Sequence, residues 1–130
     1  MIILTIRTDK PDAELGLYDG KKPLAQITWQ AHRELAETIH IRVEALLKQE
    51  QKDWQDIEGI VCFAGPGSFT GLRIGLSVGN AIAYGRSAPI VSTRGDSWAQ
   101  DGIKRLLASD TDPLALPEYG AEAHITAPRK

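Results

Sequence analysis

The segment Gly65-Pro66-Gly67-Ser68-Phe69-Thr70-Gly71-Leu72-Arg73 holds the residue types best suited to chemistry in this chain. Two glycines around a proline allow a tight turn. A helix beginning just after it would offer free backbone N–H groups and the positive end of its dipole to an anion. Gly65, Pro66, Gly67, Ser68, Thr70 and Arg73 are therefore the candidate anion- or nucleotide-binding residues. Two standard phosphate motifs fail here. A Walker loop needs Lys followed by Ser or Thr after its second glycine, and the segment has no lysine. A dinucleotide fingerprint needs a third glycine three residues after Gly67, where Thr70 stands, and Gly71 comes one too late. A plain strand-to-helix turn, with glycines serving only backbone geometry, fits the spacing as well.

Other reactive residues do not cluster. His32 and His40 lie eight positions apart, two helical turns, too far to share an ion, and His124 stands alone near the end. Ser68 has no identifiable histidine–carboxylate partner, and Cys62 sits in an apolar run where a structural thiol is the commoner role. Trp29, Trp54 and Trp98 are scattered, which suits a core or an interface better than a base-stacking platform. The residues assign neither a catalytic group nor a metal site.

The elements that must position this segment follow from periodicity. Ile2 to Ile6, Ala13 to Tyr18 and about Leu24 to Trp29 read as three strands. Asp19-Gly20 is a hairpin signal because type I′ turns need positive φ. Ala31, Leu35, Ile39, Val43, Leu46 and Leu47 then recur at three- and four-residue steps, one face of a helix, with Ile41 nearly opposite. Ile57 to Ala64 reads as a buried strand, about Thr70 to Tyr84 as a second helix, and Pro89 to Val91 as a fifth strand. Ser97 to Ala108 reads as a third helix with Asp96 as its cap. The order predicts an α/β fold: an antiparallel meander joined to parallel strands in a five-stranded mixed sheet, covered by a single layer of helices. Residues 1–109 form this domain, and 110–130, carrying Pro113, Pro117 and Pro128, read as an extended tail.

The second predicted helix is unusual. Gly71, Gly75 and Gly79 fall at four-residue spacing, and each interior glycine costs about 1 kcal/mol relative to alanine. A smooth strip that admits another backbone would offset that cost. Leu72, Ile74, Leu76, Val78, Ala81 and Ile82 leave little polar surface, so both sides of the helix should be covered. With one side on the sheet, either the neighbouring Ala31–Lys48 helix covers the other completely or a subunit does; the expected subunit interface comprises Ile41, Ala45, Gly71, Gly75, Val78, Gly79 and Ile82.

Composition narrows the classes. A net charge of -2 gives no global attraction for phosphate backbones, and one cysteine excludes an internal disulfide. No apolar run reaches membrane-spanning length and no secretory signal opens the chain, so a soluble cytoplasmic protein is expected.

The run GPGSFTGLRIG, Gly65 to Gly75, is similar to the signature of the TsaB (YeaZ) family, and the following SVGNAIAYGRSAPIVS agrees in position and character. The likeness covers about residues 1–95, including LGLYDG and HRELAETI, and the ending PEYGAEAHITAPRK also resembles the family. The resemblance implies an actin-like, ribonuclease H-type fold in a shortened form with one subdomain. It implies a non-catalytic subunit that binds and organises a TsaD-type transferase in threonylcarbamoylation of tRNA adenosine 37. A TsaE-type ATPase would complete the complex, and homodimers would use the same helical surface. No cofactor is expected on this chain alone, with ATP or ADP at the complex interface.

Three departures stand out. Arg7-Thr8-Asp9 replaces the Asp-Thr-Ser with which the family's first strand ends, which argues against phosphotransfer, although Arg7 would suit an anion. The chain has room for one subdomain. Thr93-Arg94-Gly95-Asp96 replaces a leucine- and alanine-rich helix start. The paired histidines of the catalytic relative would also need histidine at position 36, which is Ala36. Two alternatives remain beside the partner role: a small actin-like nucleotide-binding ATPase using Gly65–Ser68, and a homodimeric regulatory or structural protein.

Overall fold

A computed structural model describes residues 1–31, 34–67 and 69–117. Its elements are β1 (Ile2–Arg7), β2 (Asp12–Asp19), β3 (Lys22–Gln30), α1 (Leu35–Gln49), β4 (Gly59–Phe63), α2 (Phe69–Arg86), β5 (Ile90–Thr93) and α3 (Trp98–Leu107). The sheet order is β3-β2-β1-β4-β5. β1 and β3 each run antiparallel to β2, while β4 runs parallel to β1 and β5 parallel to β4. This is the expected five-stranded mixed sheet, with the meander on one side and the parallel strands on the other.

Local chemistry explains most boundaries. Gly20 at φ 59° makes the β2–β3 hairpin, as the Asp-Gly pair demands. α1 buries Leu35, Ile39, Val43, Leu46 and Leu47, the face its spacing implied, and leaves Ile41 65 % exposed. It starts later than Ala31, which is buried ahead of the helix and donates its N–H to Pro11. A short 3-10 turn, Trp54–Asp56, is closed by a capping box between Asp53 and Asp56, a pattern the periodicity did not reveal. α3 takes Ser97, not Asp96, at its N-cap position, without a side-chain cap bond.

The helices form two layers, not the single layer expected. A Cβ on Gly79 of α2 would meet Cys62, whereas one on Gly102 of α3 would meet Val61. Adjacent strand residues point to opposite faces, so α2 and α3 lie on opposite sides of β4. α1 shares the α2 side, packing over β2 and β3. The core therefore lies mainly between the sheet and the α1/α2 layer. There β1 contributes the fully buried Leu4 and Ile6, and β4 contributes Ile60.

The expected tail also changes. Residues 110–117 return along β5, with Asp112 bridged antiparallel to Ile90 and Ala115 buried. Proline and weak periodicity hid this docking, because side-chain hydrogen bonds hold it in place of an apolar stripe. Residues 118–130 lie outside the described residues.

Candidate functional site

The carboxyl ends of the parallel strands converge as in other open α/β sheets, where ligands settle at such a crevice. Here they bring together Arg7 at the end of β1 and Asp9 beyond it, Gly65–Gly67 after β4, and Thr93 at the end of β5 with the residues up to Asp96. The contents are self-satisfied. Arg7 donates to Asp9 through Nε at 2.8 Å and through Nη2 at 3.2 Å. The guanidinium carbon lies 3.9 Å from the centre of the Phe63 ring, and Phe63 meets Trp98 edge to face at 5.8 Å. The hydrogen bond to Asp9 raises the Arg7 pKa above its ordinary value; burial opposes this, while Asp9, Glu14 and Asp96 add favourable charge. Arg7 is thus engaged within its own strand end, which removes the expectation that it fixes an external anion.

The glycine loop fits the turn interpretation better than the anion site. Gly65 adopts φ 110°, a conformation other residues avoid. Gly67 presses on Asp9 so closely that an added Cβ would collide with that side chain. An anion settling on the loop would meet the Asp9 carboxylate, itself only 7 % exposed and already paired. Ser68 lies outside the described residues. Thr70 and Arg73 are exposed and line a different feature, the groove between α1 and α2. Among the described residues, Thr70 and Arg73 therefore line the groove and Gly65 to Gly67 the turn at Asp9.

The glycine strip is the main correction. A Cβ at Gly75 would run into Thr8, and one at Gly79 into Cys62. Thr8 is 3 % exposed and donates its hydroxyl to Gly71 C=O at 2.7 Å. The strip admits side chains of the protein's own sheet, not a partner backbone. Gly75 and Gly79 leave the expected interface for that reason, while Gly71 is half-buried and meets Thr8 through its carbonyl. Val78 and Ile82 are also largely buried in the core cluster. Thr8 is the residue that sequence reasoning missed. Its signal was parity: just past the end of β1, it continues the inward-facing series of Leu4 and Ile6.

What remains outward is a groove of about 400 Å³ lined by Ala36, His40, Thr70, Arg73, Ile74, Ser77 and Val78. Beside it Ile41 and Ala45 are exposed on α1, and Ala81 and Tyr84 on α2, Tyr84 at 90 %. Ser77, Ala81 and Tyr84 follow one stripe by helical spacing. Cys62 lies beneath α2, and burial pushes its thiol up to about 12, so it is no nucleophile in the folded state. Trp29 and Trp98 are buried and Trp54 is partly buried against the core. Among the described residues no three of His, Cys, Asp and Glu group as a metal site, and His32 and His124 fall outside them. No described helix is long and apolar enough to cross a membrane.

Comparison with known proteins adds the family context. The family model described as tRNA N6-adenosine threonylcarbamoyltransferase, TsaD, matches residues 27–93. The tRNA threonylcarbamoyladenosine biosynthesis protein TsaB of Escherichia coli K12 is 30 % identical, aligned over 84 % of this chain and 49 % of its own length. A tRNA N6-adenosine threonylcarbamoyltransferase of Chromobacterium violaceum is also 30 % identical, over 99 % of this chain and 43 % of its own. The chain thus spans about half the length of these curated relatives. YeaZ from Pseudomonas aeruginosa superposes with a TM-score of 0.68 at 22 % identity, covering 81 % of this chain and 49 % of that one. Thermus thermophilus RuvC, solved with a Holliday junction substrate, gives 0.53 at 14 % identity over 98 % of this chain and 87 % of its own. These likenesses place the fold in the ribonuclease H/actin-like class.

Proposed function

The chain belongs to the TsaB (YeaZ) and TsaD family, and from that membership we propose that it is a non-catalytic partner subunit in tRNA N6-threonylcarbamoyladenosine synthesis. In this role it binds and organises a TsaD-type transferase through the outer side of α1 and α2. The carrying observation is the exposed apolar surface there: among the described side chains, Ile41 and Tyr84 stand out from helices whose other large apolar residues are buried or half-buried. An isolated exposed apolar residue means little, but two beside a continuous groove form an anchor pattern.

The quiet crevice supports the same role. Phosphotransfer at the strand ends needs open acceptors for metal and phosphate, and this chain fills the position with its own Arg7–Asp9 pair. The nucleotide-binding alternative has no comparable support. A TsaE-type ATPase as further partner, tRNA contacted through the complex, and a cytoplasmic location all follow from the family role and stand or fall with it.

The test is co-purification of this chain with the TsaD-type subunit of the same genome, with light scattering to give stoichiometry. A stable heteromer that Ile41→Asp weakens is the expected result. No association, with a firm homodimer in its place, would overturn the partner role and favour the homodimeric alternative.

A further inference from the structure

An edge strand presents a row of unpaired N–H and C=O groups that invites another strand. β5 is such an edge. Ile60 N–H donates to Pro89 C=O and Ala64 N–H to Thr93 C=O, so the odd-numbered residues of this stretch face β4. Ile90 and Ser92 consequently direct their backbone groups outward.

Those outward groups are capped from within the chain. Asp112 N–H donates to Ile90 C=O at 2.9 Å. Ser92 N–H donates to Asp112 Oδ2 at 2.8 Å, so a side-chain carboxylate stands where a neighbouring strand would place its carbonyl. Arg105 completes the cap, donating from Nη1 to Ser92 C=O at 3.4 Å and from Nη2 to Asp112 Oδ1 at 2.7 Å. Farther on, Asn80 of α2 donates to Ala115 C=O at 3.0 Å and accepts from Ala115 N–H at 2.9 Å. Residues 110–117 thus behave as a strap with two pins, one on β5 and one on α2.

We infer that the β5 edge is a strand-pairing surface which this strap holds closed in cis, and that its occupant when the strap lifts is the β5 edge of a second copy of this chain. The occupant follows from the edge itself. Ile90-Val91-Ser92-Thr93 is rich in β-branched residues and carries neither charge nor proline. Two identical edges brought together antiparallel satisfy one another about a two-fold axis, the commonest closed symmetry. The surface lies on the sheet edge, apart from the outer side of α1 and α2, and the inference is independent of the partner role.

The experiment compares the full chain with Asp112→Ala, using hydrogen exchange resolved at single amides and light scattering over a concentration series. At the lowest concentration, where the chain is monomeric, exchange at Ser92 should rise about 10- to 100-fold while β1 and β4 keep their protection. The average mass should climb above wild type as concentration increases. Adding Ser92→Pro, which removes the donor at an edge position that tolerates proline, should return the mass to the wild-type value. Unchanged exchange at Ser92 would overturn the inference, as would a released strap with wild-type mass at every concentration. Association that survives Ser92→Pro would also overturn it. If Asp112→Ala loses its helical circular dichroism, Asn80→Ala carries the test: faster exchange at Ala115 and raised self-association support the strap, and unchanged behaviour rejects it.

Discussion

α2 turns small residues toward its own sheet and leaves Ser77, Ala81 and Tyr84 on the side facing away. On the inner side Gly75 and Gly79 bring the helix down onto Thr8 and Cys62, with no room for a methyl group. On the outer side Tyr84 is almost fully exposed, and a groove separates the helix from α1. Glycines at four-residue spacing look alike in a sequence whether the close neighbour is in cis or in trans. The cost of interior glycine is offset here by intramolecular packing, which leaves the proposed partner to be sought on the opposite stripe.

The sharpest way to break this comparison is Gly75→Leu. With the glycine face inward, the larger side chain lifts α2 from β1 and should lower unfolding free energy by about 3 kcal/mol or more in urea titration. Unchanged stability with an altered oligomeric state would show that the strip faces a partner after all. Gly79→Ala is gentler, since the Cys62 side chain is the only close obstacle. A loss of about 1–3 kcal/mol by the same titration is expected.

On the outer side the effects should fall on binding. Ile41→Asp should leave stability within about 0.5 kcal/mol while weakening affinity for the proposed TsaD-type partner about tenfold or more, measured by calorimetry. The smallest effect belongs to the sheet edge, away from both sides of α2. The hydrogen bond from Arg105 holds the Asp112 carboxyl below its ordinary value of 3.8, with the Ser92 N–H helping and burial opposing. A carboxylate depressed on folding contributes stability that is fully present above that ordinary value and is lost as pH falls through the lower folded one. Ser92 amide protection should therefore decline below about pH 4 in wild type, and Asp112→Asn should flatten the decline.

Much of this architecture was legible because its signals are local. The Asp19-Gly20 turn, the apolar stripe of α1 and the change of period between strands and helices each sit within a few residues. The candidate site was less legible because its determinants are pairings between distant segments. Thr8 reaches Gly71, Asp9 abuts Gly67, and Asp112 caps Ser92, contacts that no spacing rule encodes. Arg7 shows the same limit from another side. Its charge suggested an anion, and only the geometry shows that Asp9 and Phe63 already occupy it. The strap escaped notice because its proline-bearing sequence has neither the period of a strand nor that of a helix.

Cys62 gives the inner side of α2 one further consequence. It is the chain's single cysteine, it sits directly under Gly79, and its thiol is almost wholly protonated at neutral pH. A thiol-reactive dye mixed with the native protein can therefore label it only when the helix rises from the sheet. The labelling rate becomes a clock for that lifting, readable without any engineered probe, and docking a subunit over α1 and α2 should slow the clock.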